Sequence, residues 1–259
     1  FLDGKWSKLY NKSNLPIDVI ISPEVEVAKS LFRKLVAPGA LDNVPFAENK
    51  IKVLEIAVKM DCPIINIPLK NLTEKFPDFK ANIVGAVRKD KFIFLKKVDQ
   101  LLEGDKAYVV VSTDQLTQIL KTFGHEEKVA KKILIVGGGN IGLILAKLLE
   151  SDFEGARVKI IEKNKERAEL IATELTSSIV ICGDALDEEI LKEANIEETE
   201  TILALTNDDE DNIMVCVLAE KYSPNKRTIA IVNKSNYSLL QKSLNIDDLV
   251  DPRMTAVSR

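Results

Sequence analysis

The chain has 259 residues, enough for two domains that each bury a core of their own. Its 36 basic and 40 acidic residues give a net charge of -4, too small for a nucleic acid or an anionic membrane surface to be the main partner. Three widely spaced cysteines without a C-x-x-C pair indicate neither a disulfide framework nor a zinc site.

Membrane insertion and secretion are not predicted, because there is no apolar run of about 18 residues and no charged segment followed by an apolar leader. We therefore expect a soluble, cytoplasmic protein. The sequence starts at Phe1 and stops at Arg259, inside what resembles the first turn of a helix. We expect it to be a fragment of a longer chain.

The first predicted elements are a strand, "IDVII" (17–21), and a helix with Pro23 at its first position. The helix has an apolar stripe at helical spacing, formed by Val25, Ala28, Leu31, Phe32 and Leu35. These two elements have no further strands of their own. They form a partial unit.

Residues 51–123 indicate a small α+β domain. "NIVGAVRKDKFIFLKK" contains two strand-like runs around a polar "RKDK" turn, and "EGDKAYVVVS" adds another turn and strand. A helix follows, with Thr113 or Asp114 as its predicted N-cap and Gly124 as its end. Its apolar face comprises Leu116, Ile119, Leu120 and Phe123. "FGHEEKVAKK" (123–132) is then a polar linker.

From Lys131 onward, apolar strand-length runs alternate with helical segments, the pattern of a doubly wound parallel sheet. The predicted strands are "KILIV" (132–136), "VKIIE" (158–162), "IVIC" (179–182), "TILAL" (201–205) and "TIAIV" (228–232). Two helix faces are predicted between them: Ile141, Ile144, Leu145 and Leu148, then Ala168, Ile171, Ala172 and Leu175.

A glycine motif follows the first of these strands. Gly137, Gly139 and Gly142 have G-x-G-x-x-G spacing and open a helix, the context that a dinucleotide-binding turn requires. The first glycine allows the tight turn, the second lets the backbone approach a pyrophosphate, and the third lets helix and strand pack closely. Phosphates would then bind the free N–H groups of the helix N-terminus.

Glu162 ends the second strand, 20 residues after Gly142. A carboxylate there accepts hydrogen bonds from the adenosine ribose and repels a 2′-phosphate, which favours NAD or NADH over NADP. The alternatives are a glycine turn without a ligand and a solvated strand end. We favour nucleotide binding, because the strand, the glycine motif, the helix and the acid all occur in the order and spacing of a dinucleotide-binding unit.

Polar residues also follow the third and fourth strands. Asp184 is placed either beside an adenine or ribose edge or as the cap of the next helix. Thr206 and Asn207 fall at the carboxyl edge, where open α/β sheets bind ligands, and Asn207 with Glu210 also fits a capping box.

No catalytic arrangement accompanies this motif. The single histidine, His125, lies in the predicted linker, and no carboxylate pair or Ser/His/Asp or Cys/His set stands out. Asp208, Asp209 and Asp211 indicate a solvated helix start. We therefore expect a protein that binds a nucleotide without consuming it, and not an enzyme.

The two ends of the chain resemble each other. With a constant offset of 229 (244 minus 15), "LPIDVIISPEV" from Leu15 matches "LNIDDLVDPRM" from Leu244, and each is a strand followed by a proline-started helix. A true repeat would place another glycine-rich motif before Phe1. The chain would then be about one period of a tandem protein.

This organisation resembles the tandem RCK (KTN) family of regulatory subunits of Trk-type bacterial potassium uptake. The resemblance rests on "VGGGNIGLILAKLLE", "VKIIEKNKERAELIA", "ICGDALDEEILKEANI", "ALTNDDEDNI" and "DPRMTAVS", on "IVGAVRKDKFIFLKKVDQLLEGDKAYVVVS", and on the opening "LPIDVIISPEVEVAKSLFRKL". It implies the tail of a first RCK N-terminal domain at 1–40, a C-terminal subdomain at 41–124, a linker at 125–131, and a second, truncated, Rossmann-like NAD-binding domain at 132–259.

The resemblance also implies the site residues. Gly137, Gly138, Gly139, Asn140 and Ile141 would contact the phosphates, Glu162 the ribose, Thr206 and Asn207 the ligand at the sheet edge, and Asp184 would assist. Family members often have an arginine where this chain has Ile231, which puts the choice of ligand in doubt.

The resemblance further implies a ring of RCK domains beneath a separate membrane-embedded potassium transporter, gated by NAD, NADH or ATP and ADP through a population shift. Candidate ring contacts are the apolar helix with Leu239, Leu240 and Leu244, and the "DPRMTAVSR" helix start; ordinary core packing is the alternative. Two other functions stay open: an NAD-dependent oxidoreductase, and the gating module of another cation channel or antiporter.

Overall fold

Two β-sheets organise the computed structural model, which describes residues 22–125, 129–222, 226–234, 236–237, 241 and 243–257. The predicted strand 17–21, the first copy of the repeat, and the predicted helix around Leu239 and Leu240 lie outside these described residues. Two expectations therefore stay predictions: that the chain is a fragment of a tandem protein, and that it assembles into a ring.

The first sheet is antiparallel and has five strands in the order β1-β2-β5-β3-β4. Its strands are β1 (Ala40–Phe46), β2 (Ile51–Ala57), β3 (Ala81–Arg88), β4 (Lys91–Phe94) and β5 (Lys106–Ser112). The "RKDK" prediction is confirmed: Lys89 and Asp90 both have positive φ, 50° and 60°, as a tight hairpin turn between twisted strands requires.

Short helices cover one face of this sheet. They are α2 (Leu72–Lys75) and α3 (Leu116–Thr122), with 3-10 turns at Leu69–Asn71 and Thr113–Gln115. The N-cap prediction for α3 is wrong, because the Thr113–Gln115 turn precedes the helix and Gln115 is the cap residue. Gly124 ends the helix at φ 89°, as predicted.

The predicted polar linker starts inside the core. Phe123 and His125 are only 2% and 6% exposed, and the His125 ring lies against Gly39, where an added Cβ would be 2.7 Å from it. The solvated character expected of a polar linker therefore does not extend to these two residues. A glycine at position 39 gives the imidazole its space.

The second sheet is parallel and has six strands in the order β11-β10-β9-β6-β7-β8. The order reverses between β6 and β9, which confirms the doubly wound Rossmann-like prediction. The strands are β6 (Lys132–Val136), β7 (Arg157–Glu162), β8 (Ile179–Cys182), β9 (Thr201–Ala204), β10 (Arg227–Ile231) and β11 (Asp248–Val250).

Helices cover both faces of the parallel sheet. Ile133 and Ile135 of β6 face one core with α1 (Pro23–Val36), α4 (Asn140–Asp152) and α5 (Lys165–Glu174). Leu134 and Val136 face the other core with α6 (Glu188–Glu193), α7 (Asp209–Tyr222) and the 3-10 turn Ile196–Glu198. Burial on both faces explains the near-continuous apolar strands.

The predicted helix faces are partly corrected by this double coverage. Leu145 of α4 is fully buried, but the rest of its buried face is Gly142, Leu143, Ala146 and Leu149, while Ile141, Ile144 and Leu148 are half-buried. In α5, Ala172 is exposed. The extra cover from α1, distant in sequence, widens the contact surface of α4.

Helix α1 is attached to the parallel sheet although it precedes the antiparallel one. Val27, Ala28, Leu31 and Leu35 pack into the core with α4; Val27 replaces the predicted Val25, which is half-buried. Lys34 Nζ lies 3.1 Å from Asp248 Oδ1, and Arg227 Nη1 donates to the Lys34 carbonyl at 2.9 Å.

The last described helix, α8 (Pro252–Val257), starts at Pro252 as predicted. Leu244 lies in a turn at 243–245, not in a helix, and packs half-buried against the core. Within the described ranges, no helix reaches the length and hydrophobicity needed to cross a membrane.

Candidate nucleotide-binding site

A cavity of 610 Å³ opens at the carboxyl edge of the parallel sheet. Its walls come from the residues that follow β6, β7, β8 and β9, so it lies where the strand order reverses. Gly137, Glu162, Asp184 and Thr206 all line it. The structure thus brings together residues that the sequence spreads over seventy positions, from 137 to 206.

The three glycines have three different surroundings. Gly137 has φ 105°, and a Cβ there would lie 2.9 Å from the Leu205 backbone. A Cβ on Gly142 would lie 2.1 Å from the Gly137 carbonyl oxygen, so only glycine lets α4 pack this closely. A Cβ on Gly139 would meet nothing within 4 Å. The open space at Gly139 faces the exposed start of α4.

The carboxylate of Glu162 is turned toward the glycine loop. Its Oε2 accepts from the Gly138 N–H at 2.7 Å, and its Oε1 accepts from the Asn164 N–H at 2.8 Å. Each oxygen keeps a further lone pair for a ligand. The side chain that sequence reasoning placed at the ribose therefore also fixes the loop that would hold the phosphates.

Arg167, which sequence reasoning missed, also holds this loop. It lies in the first turn of α5, lines the cavity, and its Nε donates to the Gly138 carbonyl at 2.7 Å. Asn164 caps α5 by accepting from the Arg167 N–H. The signal in the sequence was a cation five residues after Glu162, at the third position of the next helix.

Asp184 forms an ion pair across the cavity with Lys163, whose Nζ lies 2.6 Å from Asp184 Oδ2. The Lys163 ammonium and the Leu186 N–H keep the pKa of Asp184 below its usual range. The helix-cap alternative is wrong, because Asp187 caps α6 by accepting from the Glu189 N–H. Asp184 lines the cavity instead.

Thr206 is held by a buried asparagine that sequence reasoning missed. Asn212 Oδ1 accepts from the Thr206 N–H and hydroxyl, and Asn212 Nδ2 donates to the carbonyls of Thr206 and Ile231. Asn212 is fully buried, so its bond to Ile231 is shielded from water, and its bonds to Thr206 are shielded on the asparagine side. Asn207 next to it is exposed at the cavity wall.

The acids at the start of α7 are not a uniform solvated group. Asp209 is 5% exposed and accepts hydrogen bonds from the backbone N–H groups of Asn233 and Lys234. Asp208 caps the helix by accepting from the Asp211 N–H at 2.9 Å. Both the solvated-start prediction for Asp209 and the Asn207/Glu210 capping box are therefore wrong.

The remaining predicted positions surround the loop. Gly138 is buried, Asn140 is exposed at the first residue of α4, and Ile141 is half-buried against the core. Ile231, at the end of β10, is 3% exposed and packs in the core of the sheet.

His125 lies elsewhere. It lines a second cavity at the amino edge of the parallel sheet, beside Gly39 and Lys226. Across the described ranges, no group of three or more His, Cys, Asp or Glu side chains is arranged to hold a metal ion.

The doubly wound sheet, its glycine loop and the acid after the second strand define a Rossmann-like α/β protein. The TrkA-N domain model matches residues 133–252 and the TrkA-C domain model matches residues 53–124. The chain therefore belongs to the family of TrkA-N and TrkA-C domain proteins.

Curated relatives align with nearly the whole chain. The "Trk system potassium uptake protein TrkA" of Azorhizobium caulinodans is 42% identical over 100% of this chain and 56% of its own length. The protein of the same description from Vibrio alginolyticus is 33% identical over 96% of this chain and 54% of its own length. The chain thus spans about half the length of the curated relatives it matches.

Solved structures share the fold at low identity. The "GsuK RCK domain" has a TM-score of 0.66 and 18% identity over 98% of this chain and 53% of its own. The "GsuK channel bound to NAD" has a TM-score of 0.61 and 17% identity over 91% of this chain and 41% of its own. At these identities the likeness is one of fold.

Proposed function

We propose that this chain binds NAD or NADH in the carboxyl-edge cavity. The observation that carries the proposal is the open backbone at Gly139, which stands at the N-terminus of α4 with Glu162 beside it. The N–H groups of a first helical turn lack intrahelical acceptors and attract phosphate. The NAD named with the GsuK channel and the family match support the same ligand class.

Each part of the ligand has a proposed partner. Gly137 through Ile141 hold the pyrophosphate, Glu162 accepts from the ribose hydroxyls, and Thr206 with Asn207 contact the ligand at the β9 edge. Asp184 lies at the adenine side of the cavity and exchanges its pairing with Lys163 for a ligand contact. ATP or ADP is a competing ligand, because it shares the adenosine and phosphate groups.

The regulatory role rests on the family. We infer that the chain is part of a cytoplasmic regulatory subunit which assembles as a ring of RCK domains and gates a membrane-embedded potassium transporter. The potassium uptake named for the relatives supports this role. The division into 1–40, 41–124, 125–131 and 132–259 belongs to the same proposal, with α1 as the tail of a preceding nucleotide domain.

The mechanism is a population shift in which the nucleotide is a signal. A ligand moves a conformational equilibrium only by its difference in affinity between the two states. Because the cavity is built by four strand ends, a change at Glu162 or Thr206 reaches both the β7 and β9 sides of the sheet. The ring would transmit that change to the pore.

Calorimetric titration with NADH, NAD, ATP and ADP tests the ligand. Wild type should bind NADH, and Glu162→Ala should weaken binding roughly tenfold or more. Glu166→Ala, which removes an acid from the nearby start of α5, is the matched control and should bind as wild type does. Equal NADH affinity in wild type and Glu162→Ala would make the ribose assignment wrong.

Potassium uptake by cells that lack their own subunit of this type tests the role. The full-length protein that contains this chain should restore uptake, and a Gly139→Val substitution in it should remove nucleotide-dependent control. Turnover of NADH with carbonyl substrates by the purified protein would instead support an oxidoreductase.

A further inference from the structure

We propose that Arg167 reads the ribose diol of the nucleotide together with Glu162, with the arginine as hydrogen-bond donor and the carboxylate as acceptor. This inference rests on the proposed nucleotide binding. It makes Arg167 a specificity-determining residue for ligands with free 2′ and 3′ hydroxyls.

The first observation is an unused donor on a residue that lines the cavity. Arg167 Nη2 is shielded from solvent and has no hydrogen-bond partner in the described part of the chain. Its Nε is fixed on the Gly138 carbonyl at 2.7 Å, so the guanidinium plane cannot turn freely. A buried N–H without an acceptor is unfavourable, and a ligand oxygen at this wall of the cavity would relieve that cost.

The second observation is the shared anchor of the two side chains. Glu162 Oε2 accepts from the Gly138 N–H, and Arg167 Nε donates to the Gly138 carbonyl. Both side chains are thus held at the same glycine of the loop, and both line the cavity. The two peptide groups that flank the Gly138 Cα thus anchor an acceptor side chain and a donor side chain at one residue of the loop.

The chemistry of a vicinal diol matches this arrangement. Each hydroxyl has one proton to donate and lone pairs to accept. Glu162, an acceptor when ionised, uses the protons, and Arg167, a donor without acceptors, uses the lone pairs. A carboxylate alone leaves the hydroxyl lone pairs without a donor from the protein. The pair therefore recognises a complete diol.

A purely structural role for Arg167 makes a different prediction. If the arginine only positions the glycine loop, its loss lowers the affinity for ribonucleotides and deoxynucleotides by the same factor. If it contacts the diol, its loss lowers the affinity for the ribonucleotide more. The ratio of the two affinities therefore separates the roles, whatever the change in absolute affinity.

The test compares ADP with 2′,3′-dideoxy-ADP by calorimetry on wild type, Arg167→Gln, Arg167→Lys and Lys165→Gln. Wild type should prefer ADP by roughly 100-fold, and Arg167→Gln should reduce this preference to about tenfold. Arg167→Lys keeps the charge and much of the stem but lacks Nη2. Its preference for ADP should therefore fall as far as that of Arg167→Gln. Lys165→Gln, an exposed charge in the same helical turn, should keep it.

Four outcomes decide the matter. An unchanged preference for ADP in the folded Arg167 variants overturns the inference, even if both nucleotides bind more weakly. If Arg167→Gln does not fold, the same ratio in Arg167→Lys decides. Absence of ADP and NADH binding to wild type overturns the proposed nucleotide function itself, and NADH binding without ADP binding overturns only the diol inference.

Discussion

The two sheets of this chain differ in where they are open. The parallel sheet is covered by helices on both faces and is open at its carboxyl edge, where the cavity lies. The described helices cover one face of the antiparallel sheet, and the other face carries an aromatic cluster of Phe92, Phe94 and Tyr108. One sheet therefore presents strand ends to a ligand, and the other presents side chains to solvent.

The difference shows what each part of the sequence has to satisfy. In the parallel sheet, backbone geometry at single glycines decides the site, because a Cβ at Gly137 or Gly142 would collide with main-chain atoms. In the antiparallel sheet, side-chain pairing matters more, as in the bidentate contact of Arg88 with Asp105 at 2.8 and 2.7 Å. Four substitutions test this contrast.

The largest effect is expected for Gly142→Ala. The added methyl would lie 2.1 Å from the Gly137 carbonyl, so α4 must move away from β6. We expect a loss of about 3 kcal/mol in the free energy of unfolding, measured by urea denaturation, together with loss of nucleotide binding.

Gly139→Ala is the control for that variant. Its methyl enters open space, so stability should change by less than about 1 kcal/mol while nucleotide affinity falls because the ligand is displaced. Equal destabilisation by both alanines would contradict the distinction drawn between the two glycines.

Asp105→Asn tests the antiparallel sheet. Asp105 is 1% exposed, and its carboxylate also accepts from the Leu102 N–H at 2.9 Å. Losing its charge leaves Arg88 without its counterion, at a cost of about 2 kcal/mol. Glu55→Gln, at the partly exposed pair with Lys106, should cost less than about 1 kcal/mol. Similar urea midpoints for the two variants would show that pairing does not hold this sheet.

Glu150→Gln tests a half-buried acceptor in the parallel half. Burial raises the pKa of Glu150, but hydrogen bonds from Ser178, Thr176 and Ser177 outweigh it and lower the pKa to about 2. The folded pKa is depressed, so this stabilisation is present above the unfolded pKa of 4.5 and is lost as pH falls toward 2.

The expected cost of Glu150→Gln at pH 7 is about 1–2 kcal/mol. Unfolding of wild type and variant should be compared at several pH values, and the difference should shrink steadily between pH 5 and pH 2. A difference that stays constant over this range would exclude the ionised carboxylate as its source.

The smallest effect is expected for Phe94→Ser. Its ring is 82% exposed at the edge strand β4, so the free energy of unfolding should change by no more than about 0.5 kcal/mol. Val109→Ala on the covered face of the same sheet should cost clearly more, because Val109 is fully buried. A large loss from Phe94→Ser would mean that the open face is packed in solution.

Five of the six strands of the parallel sheet, β6 to β10, were predictable to within one residue, because burial on both faces leaves uninterrupted apolar runs. Strand β1, "ALDNVPF", was missed because Asn43 and Pro45 break such a run. Pro45 is tolerated on an edge strand, and Asn43 is buried because its Nδ2 donates to the Arg33 carbonyl. Only the fold supplies that acceptor.

The candidate site was predictable where spacing alone fixes geometry, as for the glycines and Glu162. The supporting residues Arg167, Asp209 and Asn212 were not, because polar residues in a first helical turn are usually solvated. Their burial depends on the β10 end and the glycine loop, which approach them only in the folded chain.

The attachment of α1 has a consequence for how the chain can be divided. A protein engineer who cut before residue 129 to isolate the parallel sheet would remove the helix that shields Leu145 and Leu149, and would leave Asp248 without Lys34. Such a fragment would expose an apolar groove along α4 and would aggregate more readily. The smallest fragment that keeps the parallel sheet covered therefore combines α1 with the residues from 129 onward, two stretches that are not contiguous in sequence.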